Sequence, residues 1–536
     1  MQLLVLVLLF ALAAAIRIVF RRRYRSLSHI RGPPSPSWLF GHDIATVRQQ
    51  EVGELDFKWV KEYGATWRIA SHLGVRSVRY VVVQAMQHIF HKSGYNYAKR
   101  RDHTEVTKMF TGPGIISAQG EVHQRHRKIM NPAFSAPQLR SFLTLFQDIG
   151  TKMCDKWKTE VLDSSSGTVA VNKWLARTTL DIIGEAAFAY DYGALDERND
   201  RLSSVYNNIF LKTSLHPSKW LVFWRSMWNY FPDSLLRYVQ YTPTAEHRHM
   251  RHMTRVFHEV SSEVLDELTG GISDEDGKKD VMSILVKANS SEDPKTQLDY
   301  VEMTAQMQSL TFAGHETTAS TLSWMLWELA KHPEYQAKMR EEIRATRAAV
   351  LARGGTRFTI DDLDSMTSVM NAIKETLRFH PIVFGLWREA VHDDVIPLSE
   401  PIVSATGDVI DSIPVRAGQW ISCSFCAYNR LPQVWGADAD TWNPDRFLHI
   451  DLTKQVRVGV FANLMTFSAG IRGCIGWRFS VIEMQALAAE LLERFEFGLP
   501  EEHYEIMRVP AGLMIPLVKD KLELGAVMPL RVSLVH

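Results

Sequence analysis

"TFSAGIRGCIG", Thr466 to Gly476, sets three glycines and an arginine around one of only four cysteines in a chain of 536 residues. A cysteine in that setting has three uses: a small packed hydrophobe, a reactive thiol or a metal ligand. Gly470, Gly473 and Gly476 allow close approach to a flat partner and positive φ angles, so that backbone N–H groups can turn toward the sulfur. The following stretch, "WRFSVIEMQALAAELLERFEF", repeats apolar residues at Met484, Leu487, Ala488, Leu491 and Phe495, the spacing of an amphipathic helix. The positive end of that helix favours a thiolate, which a buried site must otherwise compensate for lost hydration. Arg472 adds a cation suited to an acidic group on a ligand.

The other cysteines are Cys154, Cys423 and Cys426, too few for a disulfide framework and in keeping with a reducing compartment. Cys423 and Cys426 form a C-x-x-C inside "QWISCSFCAYN", which reads as a strand and its exit. With no second pair to complete a zinc site, they are expected to be buried structural thiols. The composition, 46% hydrophobic and 23% charged, is that of a globular protein with a large core. A net charge of +1 gives no global field for nucleic acid, and no nucleic-acid partner is expected.

The membrane signal is at the N-terminus. "MQLLVLVLLFALAAAI" is apolar from Met1 to Ile16, and Arg21, Arg22, Arg23 and Arg25 follow the run rather than precede it. Cleaved signal peptides carry their charge first, so residues 1–25 read as a signal anchor with a basic flank, leaving the body on the cytosolic side. Residues 26–43, with "RGPPSPSWLFGH", read as a stiff Pro-rich hinge, and 44–536 as one large domain.

Helical patterns dominate that domain: Phe142–Val161, Asn172–Tyr190, Arg248–Leu268, Leu298–Lys331, Pro333–Ala349 and Ser368–Phe379. Short strands are expected at Val75–Val83, Val409–Pro414, Gln419–Cys423 and near the C-terminus. The polar stretches "TGGISDEDGKKD" (Thr269–Asp280) and "NSSEDPKTQ" (Asn289–Gln297) read as loops flanking one short helix. The expected fold is mostly α (α+β), with small peripheral sheets. "WLVFWRSMWNYF", Trp220–Phe231, is either a core helix or a loop dipping into a membrane interface.

Phe467, Gly470, Arg472, Cys474 and Gly476 together fit F-x-x-G-x-R-x-C-x-G, which resembles the haem-binding loop of the cytochrome P450 family. Three further segments strengthen the resemblance. "FAGHETT", Phe312–Thr318, puts a glycine and threonines, all modest helix formers, inside a long helical pattern. Tight helix packing is the plain account, and a zinc H-E-x-x-H fails because position 319 is Ala319. The segment is similar to the family's oxygen-binding groove. By that resemblance Ala313 and Gly314 leave room over the haem, Thr317 bonds the oxygen species and Glu316 relays protons. In "KETLRFHP", Glu375 and Arg378 lie three apart on one helix face and resemble the family's E-x-x-R pair, with Arg446 in "WNPDRF" as third partner. A carboxylate buried between two arginines is a structural lock. "GEVHQRHRKIMNPAF", Gly120–Phe134, resembles the helix whose arginine, here Arg127, pairs with a haem propionate. His123 stands where many members carry tryptophan, and serves the same propionate or sits on the surface. Arg388 matches another propionate position.

The resemblance spans residues from about Pro33 to the C-terminus and has the style of fungal members of the family. It implies the cytochrome P450 fold, one haem b with Cys474 as axial thiolate, and insertion of one oxygen atom from O2 into a hydrophobic substrate. Terpenoid, sterol, fatty acid and xenobiotic are all open as substrates, with a terpenoid or sterol favoured and a place in secondary metabolism expected. Electrons are expected from an NADPH-dependent cytochrome P450 reductase, with cytochrome b5 as a further donor, at the endoplasmic reticulum membrane. Arg125, Arg127, Lys128, Lys454, Arg457 and Arg478 are expected to form a basic docking patch for the reductase. Substrate contacts are expected within 106–116, 210–215, 310–317, 382–386 and 511–514, including Met109, Phe110, Ile115, Val383, Phe384, Leu513 and Met514. Two rivals remain at this stage: a haem-thiolate isomerase or peroxygenase, and a non-catalytic haem-binding sensor.

Overall fold

The computed structural model describes residues 27–163, 167–198, 201, 205, 209–270, 280–289, 297–450 and 455–535. The expected anchor at 1–25, most of the two polar loops and Lys454 lie outside these residues. Among the described residues no helix is long and apolar enough to cross a membrane.

The helices that build the site are α1 (Arg101–Thr111), α2 (Gly120–Met130), α3 (Ala136–Asp163), α4 (Val171–Phe188), α5 (Ile209–Ser214), α6 (Lys219–Met227), α7 (Ala245–Gly270), α8 (Val281–Asn289), α9 (Tyr300–Lys331), α10 (Pro333–Ala352), α11 (Thr367–Phe379) and α12 (Trp477–Arg494). The strands are β1 (Thr66–Ala70), β2 (Arg76–Tyr80), β3 (Tyr97–Lys99), β4 (Thr168–Ala170), β5 (Gly385–Ala390), β6 (Asp394–Val403), β7 (Val409–Val415), β8 (Trp420–Ser424), β9 (Phe495–Gly498), β10 (Ile506–Ala511), β11 (Leu513–Val518) and β12 (Pro529–Leu534). They form a five-stranded sheet ordered β1-β2-β8-β5-β3, a three-stranded sheet β4-β12-β9, and the pairs β6-β7 and β10-β11. This is the helical body with small separate sheets that the sequence leads one to expect. The strand expected to reach Val83 stops at Tyr80, because Val83 opens a short helix to Gln87.

Helix α9 runs through the middle and is buried along most of its length. It starts at a capping box: Asp299 accepts from the Glu302 N–H at 2.7 Å, and Glu302 accepts in return from the Asp299 N–H. Where α9 meets α4, the helices nearly touch. A Cβ on Gly314 would lie 2.9 Å from Ile183, and the Thr179 hydroxyl donates to the His315 carbonyl at 2.8 Å. Packing therefore accounts for Gly314.

Helix α12 lies against α3, α10 and α11. Cys423 ends β8 and Cys426 sits in the turn after it; both are buried, and burial pushes each thiol up to about 12. They are the inert structural thiols expected.

The Trp220–Phe231 stretch divides by face. Leu221, Val222 and Trp228 are buried, whereas Trp220 is 67% exposed and Trp224 is 38% exposed. Trp38, Leu235, Tyr238 and Tyr241 are also exposed. Neither of the two expectations describes the whole segment.

Candidate functional site

The Cys474 loop is shaped from both sides. Gly470 has φ +63°, and a Cβ there would fall 1.7 Å from the Phe90 carbonyl oxygen, so no other residue fits. Gly473 is tight against Val460, while Gly476 has neither a close contact nor a positive φ. Only the first of the three glycines thus adopts the positive φ expected of all three. The Cys474 N–H donates to the Phe467 carbonyl at 2.8 Å, and α12 begins three residues later. Cys474 is the one exposed cysteine, although its surroundings are dense enough that burial pushes its thiol up. A group both accessible and crowded lines an internal space. The Gly476 N–H and Arg127 oppose the upward shift, so Arg127 is the cation acting on the sulfur.

Opposite, α9 opens. Phe312, Ala313, Gly314, Glu316 and Thr317 are only partly buried in the midst of an otherwise buried helix. Ala313 and Thr317 are four apart and share a face; the Thr317 hydroxyl donates to the Ala313 carbonyl at 2.7 Å. Burial lifts the Glu316 carboxyl to about 7, and the His315 ring, itself lowered by burial to about 4, lies 3.4 Å away.

Between these walls lies a corner crowded with cations. Strands β3 and β5 pair so that Lys99 stands directly opposite Arg388, a like-charge pair that destabilises a sheet unless an anion joins it. Burial, then Arg388 and Arg472, pull the Lys99 amine down to about 7. Arg388 is lowered to about 10, by burial first and Arg472 second. Arg472 donates to the Tyr97 carbonyl at 2.8 Å, lies over the Tyr95 ring and leaves its Nε buried without a partner. Arg127 donates to the Gly473 carbonyl. Among the described residues no carboxylate pairs with Lys99, Arg127, Arg388 or Arg472. His123 is buried beside them, bonded to the Tyr95 hydroxyl at 2.9 Å; burial, then Lys99, Arg472 and Arg127, lower it to about 3. It is thus a buried neutral imidazole, and the surface alternative is set aside. Four basic side chains without a carboxylate partner among the described residues, one of them (Arg127) acting on the Cys474 thiol, suit a flat group with two acidic arms and a metal that takes sulfur. Haem b, with its two propionates and its iron, fits. Lys99 and Tyr95 escaped the sequence reading because no local pattern marks them; the strand register alone brings Lys99 opposite Arg388.

Arg446 lies with the E-x-x-R pair. Glu375, Arg378 and Arg446 are all buried. Arg378 makes a two-pronged pair with Glu375 at 2.7 and 2.8 Å, and Arg446 reaches the same carboxylate at 3.1 Å. Arg378 also donates to the carbonyls of Asn429, Ala439 and Thr441. The Asn429 amide holds Thr466 at 2.9 Å and accepts from the Met465 N–H, so the lock reaches the Cys474 loop directly.

The segments expected to touch substrate converge. Phe110 of α1, Phe210 of α5 and Phe312 of α9 form a triangle with ring centres 5.6 to 6.5 Å apart. The β10–β11 turn covers Phe210 at Gly512, and the Met514 N–H donates to the Ile382 carbonyl at 2.9 Å.

A cysteine loop that only glycine at 470 allows, a cationic corner for a diacid and a long helix opened at its middle suit a haem-thiolate protein. The family profile described as Cytochrome P450 matches residues 31–524. Cytochrome P450 monooxygenase 128 of Postia placenta is 31% identical over 525 residues, covering 95% of this chain and 92% of that protein. Cytochrome P450 monooxygenase 205 of the same fungus is 30% identical, over 97% of this chain and 95% of its own. Cytochrome P450 monooxygenase claQ of Ampulloclitocybe clavipes is 29% identical, over 95% and 93%. The chain belongs to the cytochrome P450 family and is a haem-thiolate monooxygenase of fungal type, with haem b as cofactor.

Proposed function

We propose that the enzyme hydroxylates a hydrophobic, terpenoid- or sterol-like molecule, with electrons from an NADPH-dependent reductase docked near Cys474. The observation that carries the substrate reading is the Phe110–Phe210–Phe312 triangle, backed by the buried Met109, Ile115 and Met514. Such a lining binds by removing apolar surface from water, at roughly 25 cal/mol per Å².

When bound, haem supplies the activation of O2, and its thiolate ligand favours O–O cleavage. Cys474 would hold the iron, Arg127, Arg388, Arg472 and Lys99 would hold the propionates, and Phe467 and Gly470 shape the loop around them. The remaining work belongs to this chain's own side chains. Glu316, with its carboxyl near 7, holds or releases a proton at working pH. Thr317, by turning its hydroxyl from the Ala313 carbonyl toward the opening, carries that proton one hydrogen bond further. The aromatic triangle keeps bulk water from the space.

Of the basic residues proposed for docking, Lys128, Arg457 and Arg478 are exposed and face solvent. Arg125 is engaged by Glu302, and Arg127 by the Cys474 loop, so the free patch is smaller than expected. The body is proposed to sit on the endoplasmic reticulum membrane through residues 1–25, aided by Trp220, Trp224 and Tyr241 on its surface. Cytochrome b5 is a proposed alternative donor at the same patch.

The test is incubation of reductase-coupled microsomes with a lipid library, read by mass spectrometry. Oxygenated terpenoids or sterols are expected; oxygenation confined to small polar compounds would refute the substrate reading. A Cys474→Ala chain should lose the red-shifted Soret band of the reduced carbonyl complex.

A further inference from the structure

Away from the thiolate loop, four buried nitrogen donors share one place without an acceptor. They are Arg225 Nε and Nη2, His247 Nε2 and Trp228 Nε1, each shielded from solvent and without a hydrogen-bond partner. Arg225 and Trp228 are three apart along α6 and the helical turn that continues it, and so share a face. The Trp228 and His247 rings lie 5.8 Å apart, centre to centre. Arg225 is close enough to His247 to join burial in lowering its imidazole to about 4, which keeps that ring neutral. The Thr244 hydroxyl accepts from the His247 backbone N–H and lies 2.8 Å from Nδ1, a pairing in which the hydroxyl can donate and leave the ring hydrogen on Nε2. Arg225 Nε and Nη2 and Trp228 Nε1 are donors in every state, and the Nε2–H tautomer of His247 adds a fourth.

Buried donors with no acceptor are costly, and a guanidinium among them more so. Glu246 and Asp102 are the carboxylates whose charge reaches Arg225, yet among the described residues neither forms an ion pair with it, and Asp102 is already held by Arg100 at 3.1 Å. The place adjoins the start of α1: the Asp102 N–H donates to Asn229 on the turn after α6, and His103 feels both Arg225 and Arg388. Phe110 lies seven residues further along α1, about 11 Å at the helical rise of 1.5 Å per residue. An acid held at Arg225 would therefore need a long apolar body to reach the aromatic triangle.

We propose that Arg225, His247 and Trp228 form an oxyanion site between α6 and α7 that takes the carboxylate of an amphiphilic substrate. This deepens the substrate reading above and rests on it: the hydrophobic molecule is a long-chain or polycyclic carboxylic acid. A lipid phosphate has the same oxyanion chemistry, so the experiment separates the two.

The haem-loaded full chain is titrated with dodecanoic acid and with methyl dodecanoate, following the Soret shift and the melting temperature. The acid is expected to bind at least ten-fold tighter than the ester. R225Q should erase that difference by weakening the acid alone, and R225K should fall between, since lysine keeps the charge and loses the fork. W228F should weaken the acid alone, to a smaller degree. Without ligand, R225M is expected to melt no lower than the unaltered chain, because it removes an unpaired buried charge. Equal binding of acid and ester by the unaltered chain overturns the proposal, as does equal loss of both in R225Q or a lower melting temperature in R225M. Dependence on Arg225 seen only with phosphatidic acid vesicles overturns the substrate assignment in favour of lipid. The red-shifted carbonyl band, measured in every variant, reports the thiolate site separately, so a failed carboxylate site is told apart from a failed monooxygenase.

Discussion

Glu316 is a carboxyl held near 7 by burial, and among the described residues only the neutral His315 ring stands within ion-pair distance of it. It is protonated below that value and ionised above it, whereas an ordinary carboxyl changes near 4.5. The rate of substrate oxidation should therefore show an inflection near pH 7 that Glu316→Gln removes. The sign for stability follows from the same shift. Ionising Glu316 costs the folded state nothing below the ordinary carboxyl value and progressively more as pH rises through 7. Glu316→Gln should accordingly gain melting temperature relative to the unaltered chain at pH 8 and not at pH 4. Gly470 is the other residue with a sharp consequence. Gly470→Ala must displace the Phe90 carbonyl and strain a left-handed backbone, so haem content per chain, read from the Soret-to-protein absorbance ratio, should fall severely. Cys474, Glu375 and Arg378 were legible because their neighbours in sequence are their neighbours in space. Lys99 and the Arg225 group were not, since strand register and the meeting of two distant helices bring them to their places.

At the scale of elements, α4 and α9 meet at Gly314 with no room for a methyl group. Gly314→Ala should destabilise the fold by about 1–3 kcal/mol, the usual cost of overpacking. Trimming the opposing side chain in a Gly314→Ala, Ile183→Ala double variant should recover part of that loss in denaturant melts. A recovery of nothing would place the strain elsewhere. The pattern of α9 announced a long helix and a weak spot near Gly314, but not which neighbour required it. The E-x-x-R helix has a counterpart prediction. Arg378→Lys keeps a charge but cannot span Glu375 and three carbonyls at once, so it should yield protein with little haem and a blue-shifted carbonyl band.

Over the whole molecule, exposed aromatics gather on one outer region. Phe40 packs edge-on against Trp220 and Phe223, which brings the Pro-rich entry segment beside α6. Trp224, on the same helix, packs against Phe231 and donates to the Thr242 hydroxyl. In vesicles containing brominated lipid, part of the tryptophan fluorescence of the full chain should be quenched, and a Trp220→Phe, Trp224→Phe chain should lose that part. Unchanged quenching would show that this region stays in water. Leu27 and Ile30, within the stretch expected to be a hinge, are buried in the core, while Pro34, Ser35, Pro36 and Trp38 after them are exposed.

The network that runs from Glu375 through Arg378 and Asn429 to Thr466 is closed by protein atoms alone. The lock thus holds the cysteine loop from one end, whereas Lys99 and Arg388 at the cationic corner gain their anions only with the cofactor. Melting temperature should therefore rise with the fraction of chain that carries haem, and equal melting of loaded and haem-poor chain would show that the corner does not need its anions.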